Sequence, residues 1–170
     1  MIKVGDRLPD GKLSEATEFD DAAGCPMNPR DISVAEATKG KKIAIFALPG
    51  AYTPTCSAKH VPSYVTNSDR LKAKKVDEVW CVSVNDAFVM GAWGREQKAG
   101  GKVRMMADGS AKFAKAIGLE MDLTERGMGV RSQRYSMLVD NGVVKAVNVE
   151  APGKFEVSDA ETMLRQLGAA

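Results

Sequence analysis

The sequence predicts an α/β layer fold built on a mixed β-sheet. Buried-strand patterns alternate with helical patterns over residues 41–118, a β-hairpin pattern follows over 134–150, and a helical pattern over 158–167 comes last. Strands separated by helices favour parallel pairing, whereas a hairpin adds antiparallel strands. A chain of this length buries about two-thirds of its unfolded surface as one domain, so we expect a single domain over residues 1–170.

Composition and charge exclude several classes of function. The 24 basic and 22 acidic residues are scattered along the chain, whereas binding to nucleic acid or to a membrane surface requires clustered basic residues. No apolar run approaches the roughly 18 residues of a membrane span, and the N-terminus lacks the apolar core of a signal peptide. Three cysteines and one histidine are too few for a disulfide framework or a zinc site. We therefore expect a cytoplasmic protein with no metal, no nucleic-acid partner and no membrane association.

The elements of the first half follow from local patterns. Residues 10–40 are polar and turn-rich, which predicts a loop with a short hairpin. The apolar, β-branched run KKIAIFAL at 41–48 predicts a buried strand that ends at Pro49-Gly50. Residues 54–71 then predict a helix, bent at Pro62 because proline lacks a backbone donor.

A second strand and helix are predicted next. The run VDEVWCVSV at 76–84 is typical of a buried strand. Asn85 or Asp86 can cap the following helix, and Gly100-Gly101 can end it. The apolar stripe expected on that helix consists of Phe88, Val89, Ala92 and Trp93.

The last part of the chain supplies a third strand, a small helix, a hairpin and a closing helix. KVRMMAD at 102–108 predicts the strand, and the helix after it carries Phe113 and Ile117 and ends at Gly118. The hairpin turns at Asn141-Gly142, a pair that tolerates the positive φ angles of a type I′ turn. The closing helix is expected to have a capping box formed by Ser158 and Glu161 and a buried stripe of Met163, Leu164 and Leu167.

The segment PGAYTPTCSAKH at 49–60 carries the chemistry of greatest interest. With Thr53 as N-cap and Pro54 at the first helical position, Cys56 lies in the first helical turn. Unpaired N–H groups and the helix dipole favour the thiolate there, which is the nucleophilic form. The Thr53 hydroxyl oxygen is expected to cap the Cys56 amide, which leaves its hydrogen free for a thiolate or a bound oxygen species.

Residue patterns alone leave two questions open. A helical cysteine is often only a small buried hydrophobe, so Cys56 can be structural or reactive. His60 lies four residues further on the same helix face. It can act as the base of a Cys–His nucleophile or can be bonded to a backbone carbonyl, and the latter is favoured because the helix terminus already activates the thiol.

Longer segments carry a family resemblance. PGAYTPTCSAKHVPSY resembles the active-site segment of the peroxiredoxins, whose motif is P-x-x-x-T/S-x-x-C, with Pro49, Thr53 and Cys56 at its fixed positions. Three further segments are similar to the type II (peroxiredoxin-5-like) group in the same order: 82–94, 102–123 and 131–150. The resemblance spans residues 2–168 and implies a thioredoxin-like fold, with helices flanking the sheet, and a thiol peroxidase.

The same resemblance assigns roles to site residues. Cys56 is the implied peroxidatic thiol, which becomes a sulfenic acid, Thr53 bonds the peroxide and the thiolate, and Pro49 shields the site from solvent. The family's active-site arginine precedes YSM and therefore corresponds to Arg134, not to Arg131 or Arg126. Its guanidinium stabilises the thiolate and the developing alkoxide or hydroxide. His60 is a further candidate for peroxide binding.

The implied reducing partner is an external thiol. Some type II proteins carry a resolving cysteine in the C-terminal segment, but EAPGKFEVSDAETML contains none. Cys81 is a weak resolving candidate because its strand pattern suggests burial, and Cys25 lies in an accessible loop at an unknown distance. We expect no bound cofactor, reduction by glutathione with glutaredoxin rather than by thioredoxin, peroxide substrates (hydrogen peroxide and alkyl hydroperoxides) and a homodimer.

Three other functions compete with this interpretation. A disulfide oxidoreductase normally requires C-x-x-C, whereas this chain has threonine in place of the first cysteine. A redox sensor or chaperone-like protein would use the same activated thiol as a switch. A Cys–His acyl transferase would need His60 as its base and an oxyanion-binding group, and no motif indicates the latter.

Overall fold

Strands and helices alternate through the middle of the chain. The structure, a computed structural model, describes residues 1–168. The strands are β1 Lys12–Glu15, β2 Glu18–Asp20, β3 Cys25–Met27, β4 Arg30–Ser33, β5 Lys42–Leu48, β6 Glu78–Ser83, β7 Arg104–Ala107, β8 Glu120–Leu123, β9 Gly129–Ser132, β10 Tyr135–Asp140 and β11 Val143–Val149. The α-helices are α1 Val34–Thr38, α2 Val61–Thr66, α3 Ser68–Ala73, α4 Ala87–Glu96, α5 Lys112–Ala116 and α6 Ala160–Gly168. A π-helical turn spans Cys56–His60 and a 3₁₀ turn spans Thr124–Arg126.

The central sheet is mixed, as predicted. Its seven strands run in the order β11–β10–β5–β6–β7–β1–β4. The three middle strands β5, β6 and β7 are parallel, and the strands on both sides of them pair antiparallel. This arrangement places the carboxyl end of β5, and the segment that follows it, beside the carboxyl ends of the parallel strands β6 and β7, in the interior of the sheet.

Helices cover both faces of the sheet. Along β5, Ala44, Phe46 and Leu48 pack into one core cluster and Ile43 and Ile45 into the other, because successive strand side chains point to opposite faces. The first cluster includes side chains of α2, α4 and α6, whereas the second includes side chains of α1 and α5. No helix within residues 1–168 is long and apolar enough to cross a membrane.

Several local predictions are confirmed. Asn141 and Gly142 have φ angles of 50° and 79° between β10 and β11, as a type I′ turn requires. Asp86 caps α4 by accepting the Val89 N–H at 2.9 Å. Buried side chains of the two later helices include the predicted Phe113, Ile117, Met163, Leu164 and Leu167.

The N-terminal prediction is only partly correct. The expected short hairpin is present as β2 and β3, but residues 10–40 also contribute β1 and β4 to the central sheet and form helix α1. Strands of four residues are too short to give a clear apolar alternation, and β4, at the edge of the sheet, has no fully buried residue. The polar composition of this region therefore gave no indication that β1 and β4 pair in the central sheet.

The predicted stripe of α4 is wrong in part. Trp93 is buried, but Phe88 is half exposed, and the face toward the core consists of Ala87, Met90, Trp93 and Gly94. The β2–β3 hairpin and the residue pair before it pack directly on this helix. A Cβ on Gly91 would lie 2.7 Å from the carbonyl oxygen of Ala16, before β2, and 2.9 Å from Cγ of Pro26 in β3. Glycine is unfavourable inside a helix, but the lack of a Cβ at Gly91 allows a close approach of two backbones.

The predicted capping box of the last helix is also wrong. The Ser158 hydroxyl donates to the Glu150 carboxylate at 2.6 Å instead of capping α6. Glu161 pairs with Arg70 on α3. The Glu150 carboxylate, which only the tertiary structure brings to Ser158, thus takes the hydroxyl that the local pattern assigned to the helix terminus.

Candidate active site

Cys56 lies in the first turn of the helical segment that follows β5. The Ser57 N–H donates to the Thr53 carbonyl at 2.9 Å, so Thr53 occupies the N-cap position that the sequence predicted. The Val61 N–H then reaches back five residues to the Cys56 carbonyl, which makes this a π-helical turn. Pro62 follows at once, and its ring is incompatible with regular α-helical packing against the preceding turn. The helix predicted over 54–71 is therefore not regular: a π-helical turn directly precedes Pro62, and α2 and α3 follow as separate helices.

The Thr53 hydroxyl makes a different bond from the one predicted. It donates to the Gly50 carbonyl at 2.7 Å, so its hydrogen is already engaged and its oxygen does not act as the expected cap of the Cys56 amide within the described chain. Tyr52 has a left-handed backbone with φ of 60°, which turns the chain back toward Gly50. Thr53 also lines the pocket beside the thiol, and a hydroxyl oxygen that donates its hydrogen can still accept a hydrogen bond.

A guanidinium contacts the thiol directly. Cys56 is fully buried, and Arg134 Nη2 donates to its Sγ at 3.1 Å. Arg134 immediately precedes β10, which pairs with β5, and this pairing brings together two residues that are 78 positions apart. A fixed cation beside the sulfur favours the thiolate over the neutral thiol.

His60 supports that arginine. Arg134 Nη1 bonds to His60 Nδ1 at 2.8 Å, and His60 Nε2 lies 3.1 Å from the Ser158 carbonyl oxygen. A carbonyl only accepts and a guanidinium only donates, so the proton is on Nε2 and Nδ1 offers its lone pair to Arg134. Both ring nitrogens are engaged, which argues against His60 as a base or as a contact for peroxide.

The charge state of His60 follows from its surroundings. Burial, reinforced by the positive charge of Arg134, lowers the pKa of His60 to about 3. The imidazole is therefore neutral at physiological pH and remains an acceptor for Arg134. Phe46, Tyr64 and Phe155 pack around the ring and keep water from it.

A second arginine holds the loop that precedes the thiol. Arg131 Nη1 donates to the Pro49 carbonyl at 3.1 Å, and a Cβ on Gly50 would lie only 2.4 Å from the same nitrogen. From the other side, the Asn85 side-chain oxygen accepts the Ala51 N–H at 2.9 Å. The loop that carries Pro49 and Thr53 is thus fixed at two points.

The other two cysteines make no disulfide with Cys56. Cys81 lies in the middle of β6, is fully buried, and packs in the same core cluster as Cys56. Burial, with a smaller contribution from Cys56, raises the pKa of the Cys81 thiol, so that thiol resists ionisation. Cys25 is half-buried on β3, where its Sγ lies 3.9 Å from Met27 Sδ.

An open pocket of about 860 Å³ adjoins these residues. Pro49, Thr53 and Arg134 are among the residues that line it. Its apolar wall includes Met121 and Leu123 of β8 and Met128, and its cationic residues include Arg126 and Lys154. Among residues 1–168 no group of three or more histidine, cysteine or acidic side chains is placed to hold a metal ion.

Sequence reasoning missed Arg131, Asn85 and Glu150 as parts of the site. The local pattern indicates only a capping role for Asn85, although a polar residue directly after a central parallel strand is a usual position for a site residue. The family motif selects a single arginine, Arg134, and so gives no role to Arg131. Glu150 ends the hairpin next to Arg134, but nothing in the local pattern indicates the contacts of its carboxylate.

Comparison with known proteins agrees with this geometry. The family model described as Redoxin matches residues 3–164. Peroxiredoxin-2C of Arabidopsis thaliana is 44% identical and matches over 98% of both chains. Reduced Prx3 from Vibrio vulnificus in complex with hydrogen peroxide is 52% identical, with a TM-score of 0.89 over 98% of this chain and 99% of that one. A Burkholderia cenocepacia structure described as a putative thioredoxin reductase is 58% identical, with a TM-score of 0.91 over 97% of each chain.

Fold and matches together define a thioredoxin-fold protein of the Redoxin class. The chain belongs to the peroxiredoxin family of thiol peroxidases, in its type II (peroxiredoxin-5-like) group. The expected fold, family and enzyme class are therefore confirmed.

The depressed pKa of His60 predicts a loss of stability on mild acidification. Between an unfolded-state pKa of roughly 6.5 and the folded value of about 3, only the unfolded chain takes up a proton on His60. Its contribution to stability is thus complete above pH 6.5 and is lost as the pH falls through this window. The free energy of unfolding should drop by up to ~1.4 kcal/mol per pH unit from this group.

Urea unfolding between pH 6.5 and 5 measures this slope. His60→Gln removes the titrating group while keeping a polar side chain, and its slope should be shallower over the same range. Equal slopes in the two proteins would contradict the prediction.

Proposed function

We propose that Cys56 is the peroxidatic thiol of this enzyme and that it reduces hydrogen peroxide and alkyl hydroperoxides. The observation that carries the proposal is the 3.1 Å contact between Arg134 Nη2 and Cys56 Sγ at the start of a helix. A cation and a helix N-terminus act on the same sulfur, and both stabilise its negative charge.

The proposed reaction is a displacement at oxygen. The Cys56 thiolate attacks one oxygen of ROOH, an S–O bond forms, and the O–O bond breaks. The sulfur is oxidised to a sulfenic acid, and the leaving RO⁻ takes a proton to become an alcohol, or water when the substrate is hydrogen peroxide. Arg134 stays beside the reacting atoms and stabilises the charge that moves from sulfur to the leaving oxygen.

Thr53 and Pro49 complete the proposed site. Because the Thr53 hydrogen is donated to Gly50, its oxygen is oriented to accept a hydrogen bond from the O–H of a peroxide. This reverses the direction of the bond that the sequence suggested. Pro49 is half-buried in the wall of the pocket, and its ring would limit the access of water to the thiol.

The pocket supports a role for alkyl hydroperoxides. Its volume of about 860 Å³ is far larger than hydrogen peroxide requires, and Met121, Leu123 and Met128 offer an apolar wall for an alkyl group. The polar reacting end would then lie against Thr53 and Arg134.

We further propose one-cysteine turnover with an external thiol. Cys81 is buried in mid-strand with a raised pKa, so it is a poor nucleophile for the sulfenic acid. A glutathione thiolate that attacks Sγ would give a mixed disulfide and release water after protonation, and glutaredoxin would then take up the glutathione. A homodimer, a cytoplasmic location and the lack of a bound cofactor remain predictions from the sequence.

Replacing the thiol tests the proposed reaction. The reduced protein, mixed anaerobically with one equivalent of hydrogen peroxide, should lose one of its three thiols rapidly and give a sulfenic acid that dimedone traps. Cys56→Ser should abolish this rapid loss, whereas Cys25→Ser should keep it. If Cys56→Ser consumed peroxide as fast as the unchanged protein, the proposal would be wrong.

Replacing the guanidinium tests the role of Arg134. Arg134→Ala should slow peroxide consumption by roughly 10²–10³-fold, because one preorganised charged donor is lost at the reacting centre. The pH midpoint of Cys56 alkylation should also move upward. Arg126→Ala is the matched control, since it removes the same charge from an exposed residue of the pocket wall. An equal loss of rate in both variants would show that overall charge, and not the contact with Cys56, causes the effect.

Steady-state turnover tests the reductant. Peroxide reduction should be faster with glutathione plus glutaredoxin than with thioredoxin and its reductase. The double variant Cys25→Ser/Cys81→Ser should retain the glutathione-dependent rate, because neither thiol is needed in one-cysteine turnover. Faster turnover with thioredoxin, or loss of turnover in the double variant, would contradict this mechanism.

A further inference from the structure

A buried carboxylate lies behind the thiol site. Glu150 follows β11 and is 7% exposed. Its oxygens accept the N–H groups of Glu156, Val157 and Ser158 at 2.8–3.0 Å and the Ser158 hydroxyl at 2.6 Å. Burial opposes ionisation of Glu150, but these bonds outweigh it and hold the pKa of the carboxyl below its ordinary value. Within residues 1–168 no lysine or arginine forms an ion pair with it, so the groups that donate hydrogen bonds to this carboxylate are uncharged.

These bonds fix the backbone of the segment before α6. Three successive N–H groups point to one carboxylate, so the Ser158 carbonyl is directed away from it and toward the helix that carries the thiol. That carbonyl oxygen lies 3.1 Å from His60 Nε2 and accepts the Tyr64 hydroxyl at 2.9 Å. The same segment places the Phe155 ring 4.9 Å from the His60 ring.

The Ser158 carbonyl determines which proton His60 carries. A neutral imidazole has one N–H, and the carbonyl secures it on Nε2, so Nδ1 keeps a lone pair for Arg134. In the other tautomer the Nδ1 proton would face the Arg134 Nη1 donor, and the two donors would repel each other. Arg134 would then move away from His60, and its second nitrogen would leave Cys56.

The connection also closes through the main chain. The Glu150 N–H donates to the Arg134 carbonyl at 2.9 Å. The residue whose carboxylate holds the loop is thus also bonded directly to the backbone of Arg134. Both strands of the β10–β11 hairpin therefore contribute to the position of the guanidinium.

We propose that Glu150 is a positioning residue for the thiol site, acting through the Ser158 carbonyl and the tautomer of His60 to hold Arg134 against Cys56. Its effect on peroxide reduction rests on the proposed function of Cys56, whereas its effect on His60 does not. Glu150 lines the pocket and bonds to Arg134 only through the main chain. The hydrogen bonds of its carboxylate go to residues 156–158 and not to the thiol or to the guanidinium.

The test compares two charge-neutralising substitutions on one loop. Glu150→Gln keeps the size of the side chain but brings an amide NH₂ toward N–H groups that need an acceptor. Glu156→Gln removes the same charge from an exposed side chain and leaves the backbone bonds intact. Because His60 is the chain's one histidine, a long-range ¹H–¹⁵N spectrum of the imidazole reports its tautomer without ambiguity.

The unchanged protein and Glu156→Gln should show His60 protonated only at Nε2, with equal rates of peroxide consumption by Cys56. Glu150→Gln should show a mixture of tautomers, an upward shift in the pH midpoint of Cys56 alkylation, and a rate about 10–100-fold lower, as expected for a displaced catalytic group. Identical spectra and rates in all three proteins would overturn the proposal.

Two further outcomes are also decisive. If Glu150→Gln does not fold, Glu150→Asp keeps the charge on a side chain one methylene shorter, and it should show the same changes to a smaller extent. A normal tautomer and rate in that variant would overturn the positioning role. If Cys56 of the unchanged protein does not react with peroxide, the proposed function fails, and the His60 spectra still decide the role of Glu150.

Discussion

The contact between Arg134 and Cys56 organises this end of the molecule. A sulfur with no solvent exposure carries a negative charge only if the protein supplies what water would otherwise provide. One guanidinium nitrogen lies against the sulfur, and the other is held by an imidazole that cannot become charged near neutral pH. The β5–β10 pairing and the neutral His60 both hold the guanidinium in place for this single contact. In the role proposed for Glu150, the loop before α6 contributes through the Ser158 carbonyl.

The polar groups around the thiol are connected by a series of hydrogen bonds that runs from Glu150 to Cys56. Glu150 accepts from the loop, the Ser158 carbonyl accepts from His60, His60 accepts from Arg134, and Arg134 donates to Cys56. Each group has one role fixed by its chemistry, with the exception of the imidazole, which can donate or accept at either nitrogen. That one ambiguity is removed by a backbone carbonyl. Buried polar networks that are fully satisfied in this way are rigid, whereas partly satisfied ones are costly.

Much of the fold and the thiol itself could be predicted from the sequence, because both depend on local patterns. The apolar run before Pro49 indicated β5, Asn141-Gly142 indicated the hairpin, and the T-P-T-C turn indicated the position of Cys56. Arg134 required the family motif, since no local pattern distinguishes it from Arg131. Ser158 and Glu150 were misassigned or missed because their partners are distant: a serine three residues before a glutamate fits a capping box, and only the folded chain shows that a carboxylate eight residues earlier takes its hydroxyl. The bond from Thr53 to Gly50 was missed for a related reason, since it depends on the left-handed backbone of Tyr52.

The π-helical turn at Cys56–His60 makes the site sensitive to chain length in addition to residue identity. A π turn holds one residue more than the α-helical turn it replaces, and each helical residue rotates the chain by about 100°. Removing one residue between Cys56 and His60 would turn His60 and the helix after it by about 100° relative to the sulfur. His60 and Cys56 could then no longer contact the same guanidinium as they do here. A substitution in this turn changes the chemistry of one side chain. An insertion or deletion instead changes the position of Cys56 relative to His60, even where the remaining residues are the same.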